Sequence, residues 1–263
     1  MDFETVIYEK KGATAFITMN RPESLNALNV QMHEDLGAVW ADFRDDDDLR
    51  IAIITGAGRA FCAGADLKER ATLASAGDRE ADERRRHLAE RDPKRFGMPS
   101  VHNVHKPIIA AINGFCVGGG HGMAMTCDIR IASTNARFGD VEIKAGQIGR
   151  IDMVVRSYPL AVANYLGLTG QIIPAQLAYQ WGFVSHLVEP DELMATAIEI
   201  ADQVLANPPQ AVNVYKDVSV EASGLHETRK YLGHAARGVL ASQDYVEAVS
   251  SFTQKREADY EGR

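Results

Sequence analysis

Hydrophobic and polar positions follow two different periods along this chain. Residues 4–10 and Thr14–Met19 are short runs of β-branched and aromatic residues split by Gly12, and they predict two strands. Beyond them Val30, Met32, Leu36, Val39, Trp40 and Phe43 recur at helical spacing behind Asn29, whose side chain suits a helix N-cap. Residues 51–55 form a continuous apolar run, as expected of a strand buried on both faces, and Gly56-Ala57-Gly58 ends it. Residues 107–112 repeat that pattern ahead of a glycine cluster and a helix predicted over residues 119–127, and Ile129–Ser133 forms a third such strand. Residues 45–48 read as a solvated acidic turn, and residues 80–94, with Arg84-Arg85-Arg86, as an exposed helix. Gly182 stops a helical stretch before a strand predicted over residues 183–188, Pro208-Pro209 marks a boundary, and amphipathic helices follow. Repeated β-then-α units with a helical tail indicate the α/β class, and no solenoid period is visible.

Composition narrows the range of functions. The chain has 263 residues, 46% of them hydrophobic, which is ample for a large core and excludes a disordered polymer. Its 28 Lys and Arg against 36 Asp and Glu leave a net charge of −8, which argues against broad binding to nucleic acid or anionic membrane. Cys62, Cys116 and Cys127 are few and odd in number and read as reduced thiols of a cytoplasmic protein. The first residues show no secretory pattern, and the longest apolar stretch, residues 107–125, is interrupted by Asn113, His121 and several glycines and does not read as a membrane span.

The familiar catalytic motifs are mostly missing. Gly56-Ala57-Gly58-Arg59-Ala60-Phe61 begins like a dinucleotide fingerprint but has Phe61 where the third glycine belongs. Neither a P-loop nor a G-x-S-x-G elbow occurs. His102 and His105 lack a carboxylate at metal-ligand spacing and read as surface histidines, so no metal is expected. Two other segments carry more information: Phe61-Cys62-Ala63-Gly64-Ala65-Asp66-Leu67-Lys68-Glu69 and Asn113-Gly114-Phe115-Cys116-Val117-Gly118-Gly119-Gly120-His121. Each places small residues where a buried strand ends, so backbone N–H groups can approach a ligand with no β-carbon in the way. A helix starting at Gly119 would aim further N–H groups and its positive end at the same point. Such a pair of donors is an oxyanion hole. Tight turns for close packing would use the same glycines, and the residues alone leave both readings open.

The two segments, in their order and spacing, resemble the crotonase family, also called the enoyl-CoA hydratase/isomerase superfamily. Asn20-Arg21-Pro22-Glu23-Ser24-Leu25-Asn26-Ala27-Leu28 is similar to its N-terminal signature. Thr126-Cys127-Asp128-Ile129-Arg130-Ile131-Ala132, Ala136-Arg137-Phe138-Gly139, Leu168-Thr169-Gly170, Ala178, Gly182-Phe183-Val184 and Lys255-Arg256 continue the match to the C-terminus. The resemblance implies a crotonase-like spiral of ββα units over residues 1–200, with a C-terminal helical region, residues 201–263, that builds homotrimers or hexamers. It also implies an acyl-CoA substrate and no separate cofactor. By position, the N–H groups of Ala65 and Gly119 would hold the thioester oxygen. Leu25, Ala27, Ala63, Ala65, Asp66, Leu67, Lys68, Gly118 and Gly119 would line the CoA channel, with Lys68 and Lys255 toward the adenine or phosphates.

Family hydratases generally use two glutamates. The second corresponds to Glu142, between Val141 and Ile143, where burial would raise its pKa into the working range of an acid/base. The first corresponds to Gly122 and is absent. His121 is adjacent, but its side chain leaves a helix about 100° away from that of residue 122, so packing or solvent is its expected environment. Gly149-Arg150-Ile151-Asp152 replaces the usual glycine-rich turn; Asp152 is expected to cap the helix at residues 153–158, with projection into the acyl pocket as the other reading. The reaction expected first is hydration or dehydration of a 2-enoyl-CoA by a single glutamate. Δ3,Δ2-enoyl-CoA isomerisation, carbon–carbon cleavage and a non-catalytic acyl-CoA or RNA binder are the alternatives; the acids around Arg84–Arg86 count against RNA. The acyl pocket is expected to come largely from residues 70–105.

Overall fold

The computed structural model describes residues 2–69, 97–99, 103–224, 238–254 and 256–261. The charged helix expected at residues 80–94, most of the acyl-pocket segment, His102 and Lys255 lie outside the described residues.

The chain opens with an antiparallel hairpin of β1 (Val6–Lys11) and β2 (Thr14–Met19). Helix α1 (Val30–Asp45) follows, and the Asn29 side chain accepts the Met32 N–H at 2.9 Å as its N-cap. Three strand pairs come next: β3 (Ile51–Gly56) with β4 (Ala60–Cys62), β5 (Ile108–Ile112) with β6 (Phe115–Val117), and β7 (Ile129–Ser133) with β8 (Arg137–Gly139). Helix α2 (Gly119–Thr126) links β6 to β7, and a 3-10 turn, Val141–Ala145, follows β8. The remaining elements are α3 (Ile151–Ser157), α4 (Leu160–Thr169), β9 (Ile173–Pro174), α5 (Ala175–Gln180) and β10 (His186–Val188). Helices α6 (Leu193–Leu205), α7 (Pro209–Ala222) and α8 (Gln243–Gln254) complete the described chain.

The first strand of each pair joins a six-stranded sheet, β1-β2-β3-β5-β7-β10, and the second joins a four-stranded sheet, β4-β6-β8-β9. The chain thus steps from one sheet to the other at every turn and winds as the expected spiral of ββα units. Side chains of the long strands alternate between two cores, which is why these strands read as unbroken apolar runs. Ala52, Ile54, Ile108, Ala110 and Ile112 face the core filled by Leu36, Val39, Trp40 and Phe43 of α1. Ile51, Ile53, Ile109, Ala111 and Ile131 face Leu193, Ala197, Ile200 and Ala201 of α6. Burying each large side chain of this kind stabilises the fold by roughly 1.5–3 kcal/mol.

Two expectations are corrected. The strand expected at residues 183–188 is only His186–Val188, because the Phe183 N–H turns back to the Ala178 carbonyl and its ring drops into the core. Asp152 does not cap a helix: it sits in the first turn of α3, whose N-cap is Arg150, and its carboxylate is committed elsewhere. The four-stranded sheet is invisible to periodicity because most of its strands are only three residues long.

Candidate active site

Strands β4 and β6 run parallel, with Ala60 opposite Phe115 and Cys62 opposite Cys116, so their C-terminal ends emerge side by side. Beyond β4, Leu28 bridges to Ala65: the Leu28 N–H donates to the Gly64 carbonyl at 2.7 Å, and the Asp66 N–H to the Leu28 carbonyl at 3.1 Å. This parallel pattern turns the Ala65 N–H to the opposite side. Beyond β6, Gly118 at φ +55 leads into α2, whose first residue is Gly119. The two ends nearly touch. A β-carbon on Gly64 (φ +87) would lie 2.9 Å from the Gly119 nitrogen, and one on Gly119 would lie 3.7 Å from the Ala65 nitrogen. Only glycine permits that approach. Among the described residues neither N–H donates a hydrogen bond. They are two neighbouring donors, one of them at the positive end of a helix.

The segment before α1 braces one side of this gap. Leu25 and Asn26 adopt left-handed backbone, φ 53 and 56. Asn26 is fully buried; its amide donates to the Ala57 and Ala60 carbonyls at 2.9 and 2.8 Å and its oxygen accepts the Arg21 N–H at 2.9 Å. Arg21 spans the same gap, donating to the Ala27 carbonyl at 2.6 Å and to Asp66 at 3.1 Å. Burial raises the Asp66 pKa, but the Glu69 N–H and the Arg21 guanidinium outweigh it and hold the carboxyl below its usual range. Leu25, Ala27, Ala63, Asp66, Leu67 and Lys68 thus form one connected rim, with Leu67 and Lys68 exposed. Asn26→Ala should destabilise the fold by about 2–4 kcal/mol in urea unfolding, since it strands two buried carbonyls and leaves a β-branch-free but left-handed residue.

Glu142 stands against Gly118. A β-carbon on Gly118 would lie 3.6 Å from its Oε1. The acid two residues earlier, Asp140, is buried at 6% exposure, and both carboxyl groups lie against Gly149. Burial raises the Asp140 pKa, and the contact with Glu142 only partly offsets it.

The position of the absent glutamate is closed by Arg150. A β-carbon on Gly122 would meet the Arg150 Cγ at 3.3 Å. The guanidinium binds the fully buried Asp152 carboxylate in a two-bond fork, Nε to Oδ1 and Nη2 to Oδ2, both at 3.0 Å. The role of Asp152 here is to fix the arginine that covers Gly122. His121 faces away, packed among Phe138, Tyr158 and Phe183, with Nε2 at 3.0 Å from the Tyr158 hydroxyl. Burial, aided by the Arg130 charge, pushes its pKa down to about 3, so it is neutral in the folded chain. Unfolding below pH 6.5 therefore takes up a proton, and this contribution to stability is lost as pH falls from about 6.5 toward about 3. Between pH 7 and pH 5 the wild type should lose about 2 kcal/mol more than His121→Phe, measured by urea unfolding at both values. His105, on the surface, pairs with Asp217 at 2.8 Å. Asp140, Arg150 and Arg21 are the site residues that sequence reasoning passed over. Asp140 alone left a visible signal, an acid inside the apolar run Phe138-Gly139-Asp140-Val141.

Known proteins match this chain throughout. The pattern of the enoyl-CoA hydratase/isomerase family fits residues 9–263. The (E)-benzylidenesuccinyl-CoA hydratase of Thauera aromatica is 35% identical over 98% of this chain and 99% of its own. The carnitinyl-CoA dehydratase of Proteus mirabilis is 36% identical over 96% and 97%. The carnitinyl-CoA hydratase structure from Mycobacterium avium superposes with a TM-score of 0.84 at 31% identity, covering 98% of this chain and 99% of that one. With its two-sheet spiral and its glycine-lined strand ends, this chain belongs to the enoyl-CoA hydratase/isomerase family.

Proposed function

We propose that the protein adds water to, or removes it from, a 2-enoyl-CoA thioester, with Glu142 as the acid/base and the Ala65 and Gly119 N–H groups as the oxyanion hole. The observation that carries this reading is the close approach of the Ala65 and Gly119 nitrogens at the glycine-lined strand ends, with the Glu142 carboxyl against neighbouring Gly118. Water addition at Cβ pushes electrons onto the thioester oxygen. Donors already in place there stabilise the enolate more than the substrate, each by roughly 3–4 kcal/mol. Glu142 accepts the proton of the attacking water and returns it to Cα, so one carboxylate serves both half-steps. Leu25 and Ala27 form one wall of the CoA channel and Ala63, Asp66, Leu67, Lys68 and Gly118 the other.

Gly122 favours Δ3,Δ2-enoyl-CoA isomerisation as the second reading, since a single base suffices to move a proton from C2 to C4. Incubating a 2-enoyl-CoA and a 3-enoyl-CoA separately decides between them: a 3-hydroxyacyl product from the former makes it a hydratase. Conversion of the 3-enoyl ester alone makes it an isomerase and contradicts the first reading.

The chain also assembles as a homotrimer or hexamer in this reading. Support comes from apolar side chains left exposed on α4, α7 and α8, among them Leu160 at 64%, Leu168 at 75%, Tyr215 at 79% and Val246 at 67%. A sedimentation mass of three or six chains is expected, and a monomer at micromolar concentration contradicts it. No helix of the described residues is long and apolar enough to cross a membrane.

A further inference from the structure

We propose that Asp140 is a positioning residue that holds one proton jointly with Glu142, so that the acid/base of this site is a carboxyl pair rather than a lone glutamate. The inference rests on the reading of Glu142 given above and deepens it. Three observations carry it. First, both carboxyl groups lie against the same residue, Gly149, and a hydrogen bond between two such groups needs a proton on one of them. Second, the chain is shaped around the pair. A β-carbon on Gly149 would fall 2.4 Å from Asp140 Oδ1 and 3.0 Å from the Glu142 carboxyl carbon, so only glycine fits there. Third, the place where a second glutamate would stand is filled by the Arg150 side chain, whose charge is already taken up by Asp152.

Two carboxylates side by side, one buried and the other half-buried, repel, so the pair keeps one proton over a range in which separate acids would have lost both. It starts each cycle with that one proton. The attacking water breaks an O–H bond and forms the C–O bond at Cβ while its proton enters the pair. The pair then passes a proton to Cα of the enolate and returns to its starting state. Below this range the pair is doubly protonated and cannot accept the water proton. Above it, two negative charges stand beside the developing enolate. Turnover should therefore fall on both sides.

Around the pair, the other charged and titratable groups are Lys144 on the same turn, Arg150, Asp152 and Arg156 on α3, and Tyr158 just beyond α3. Tyr165 lies on α4, and Asp244, Tyr245 and Glu247 on α8, the two helices packed on that turn.

The test has two arms. In the first, the full-length protein is labelled with 13C at aspartate carboxyls, and the Asp140 signal is assigned by its loss in Asp140→Asn. Interacting acids titrate in two macroscopic steps. The Asp140 signal should therefore move in two steps in the wild type and in one step in Glu142→Gln. A single step that Glu142→Gln leaves unchanged overturns the proposal, whatever the protein turns over. In the second arm, pH–rate profiles are taken on the thioester the wild type converts. Asp140→Asn keeps the shape and a hydrogen bond but no second titrating acid, so the alkaline limb should vanish while the acid limb stays. Asp140→Ala should lower kcat by about 10²-fold through misplacement of Glu142, with KM little changed. An Asp140→Asn profile identical to that of the wild type overturns the proposal. If no thioester reacts, the functional reading above fails, and the first arm still decides whether the two acids share a proton.

Discussion

Glu142→Gln should bind its thioester as the wild type does and convert it about 10²–10⁴-fold more slowly. The amide has the shape of the carboxyl it replaces and still fits against Gly118 and Gly149, so the pocket stays intact. What it loses is the ability to take a proton from water and hand it to carbon. No second glutamate takes over, because residue 122 is glycine and the Arg150 stem lies against it. His121 cannot compensate, being neutral, buried and turned toward Tyr158. Calorimetric binding of the saturated thioester together with initial rates on the unsaturated one checks both halves. Wild-type rates in a folded Glu142→Gln protein would remove the glutamate from the mechanism.

Gly119 should be nearly as sensitive, for a different reason. Gly119→Val builds a β-carbon 3.3 Å from the Leu28 Cδ1 and adds two γ-methyl groups beyond it, which crowds Leu28 beside the two donors. Gly119→Pro is the cleaner test. Residue 119 is the first of α2, a position that accepts proline, so the substitution deletes the N–H while sparing the helix. Loss of one oxyanion donor should lower kcat by about 10²–10³-fold. The KM should move much less, because the donor acts chiefly on charge that develops in the transition state. Circular dichroism and melting curves confirm that folding survives. Full activity in folded Gly119→Pro would place the oxyanion hole elsewhere.

Much of this arrangement is legible in the sequence because it is written in backbone terms. Asn29 and the spacing of Leu36, Trp40 and Phe43 define α1 almost to the residue, and the unbroken run Ile108–Ile112 marks a strand buried on both faces. Gly64 stands out because close backbone approach excludes any side chain there. What stayed hidden depends on contacts between distant segments. Strands such as β4 and β8 are too short for a period to show. Asp152 reads as a helix cap, since its spacing from α3 suits one, but the arginine two residues earlier claims it instead. Asp140 looks like a turn residue until Gly149 is seen to make room for it beside Glu142. The position left empty at Gly122 reads as a missing catalytic group; in the fold it is space occupied by the Arg150 stem.

The most direct measurement is the fate of a short-chain 2-enoyl-CoA incubated with the protein in deuterium oxide, with the product analysed by NMR and mass spectrometry. A pre-formed oxyanion hole with Glu142 at the point of proton transfer predicts a 3-hydroxyacyl-CoA carrying a single deuteron at C2, formed by the wild type and not by Glu142→Gln. Recovery of the unreacted 2-enoyl ester from the wild type, or the same labelled product at the same rate from Glu142→Gln, would contradict it.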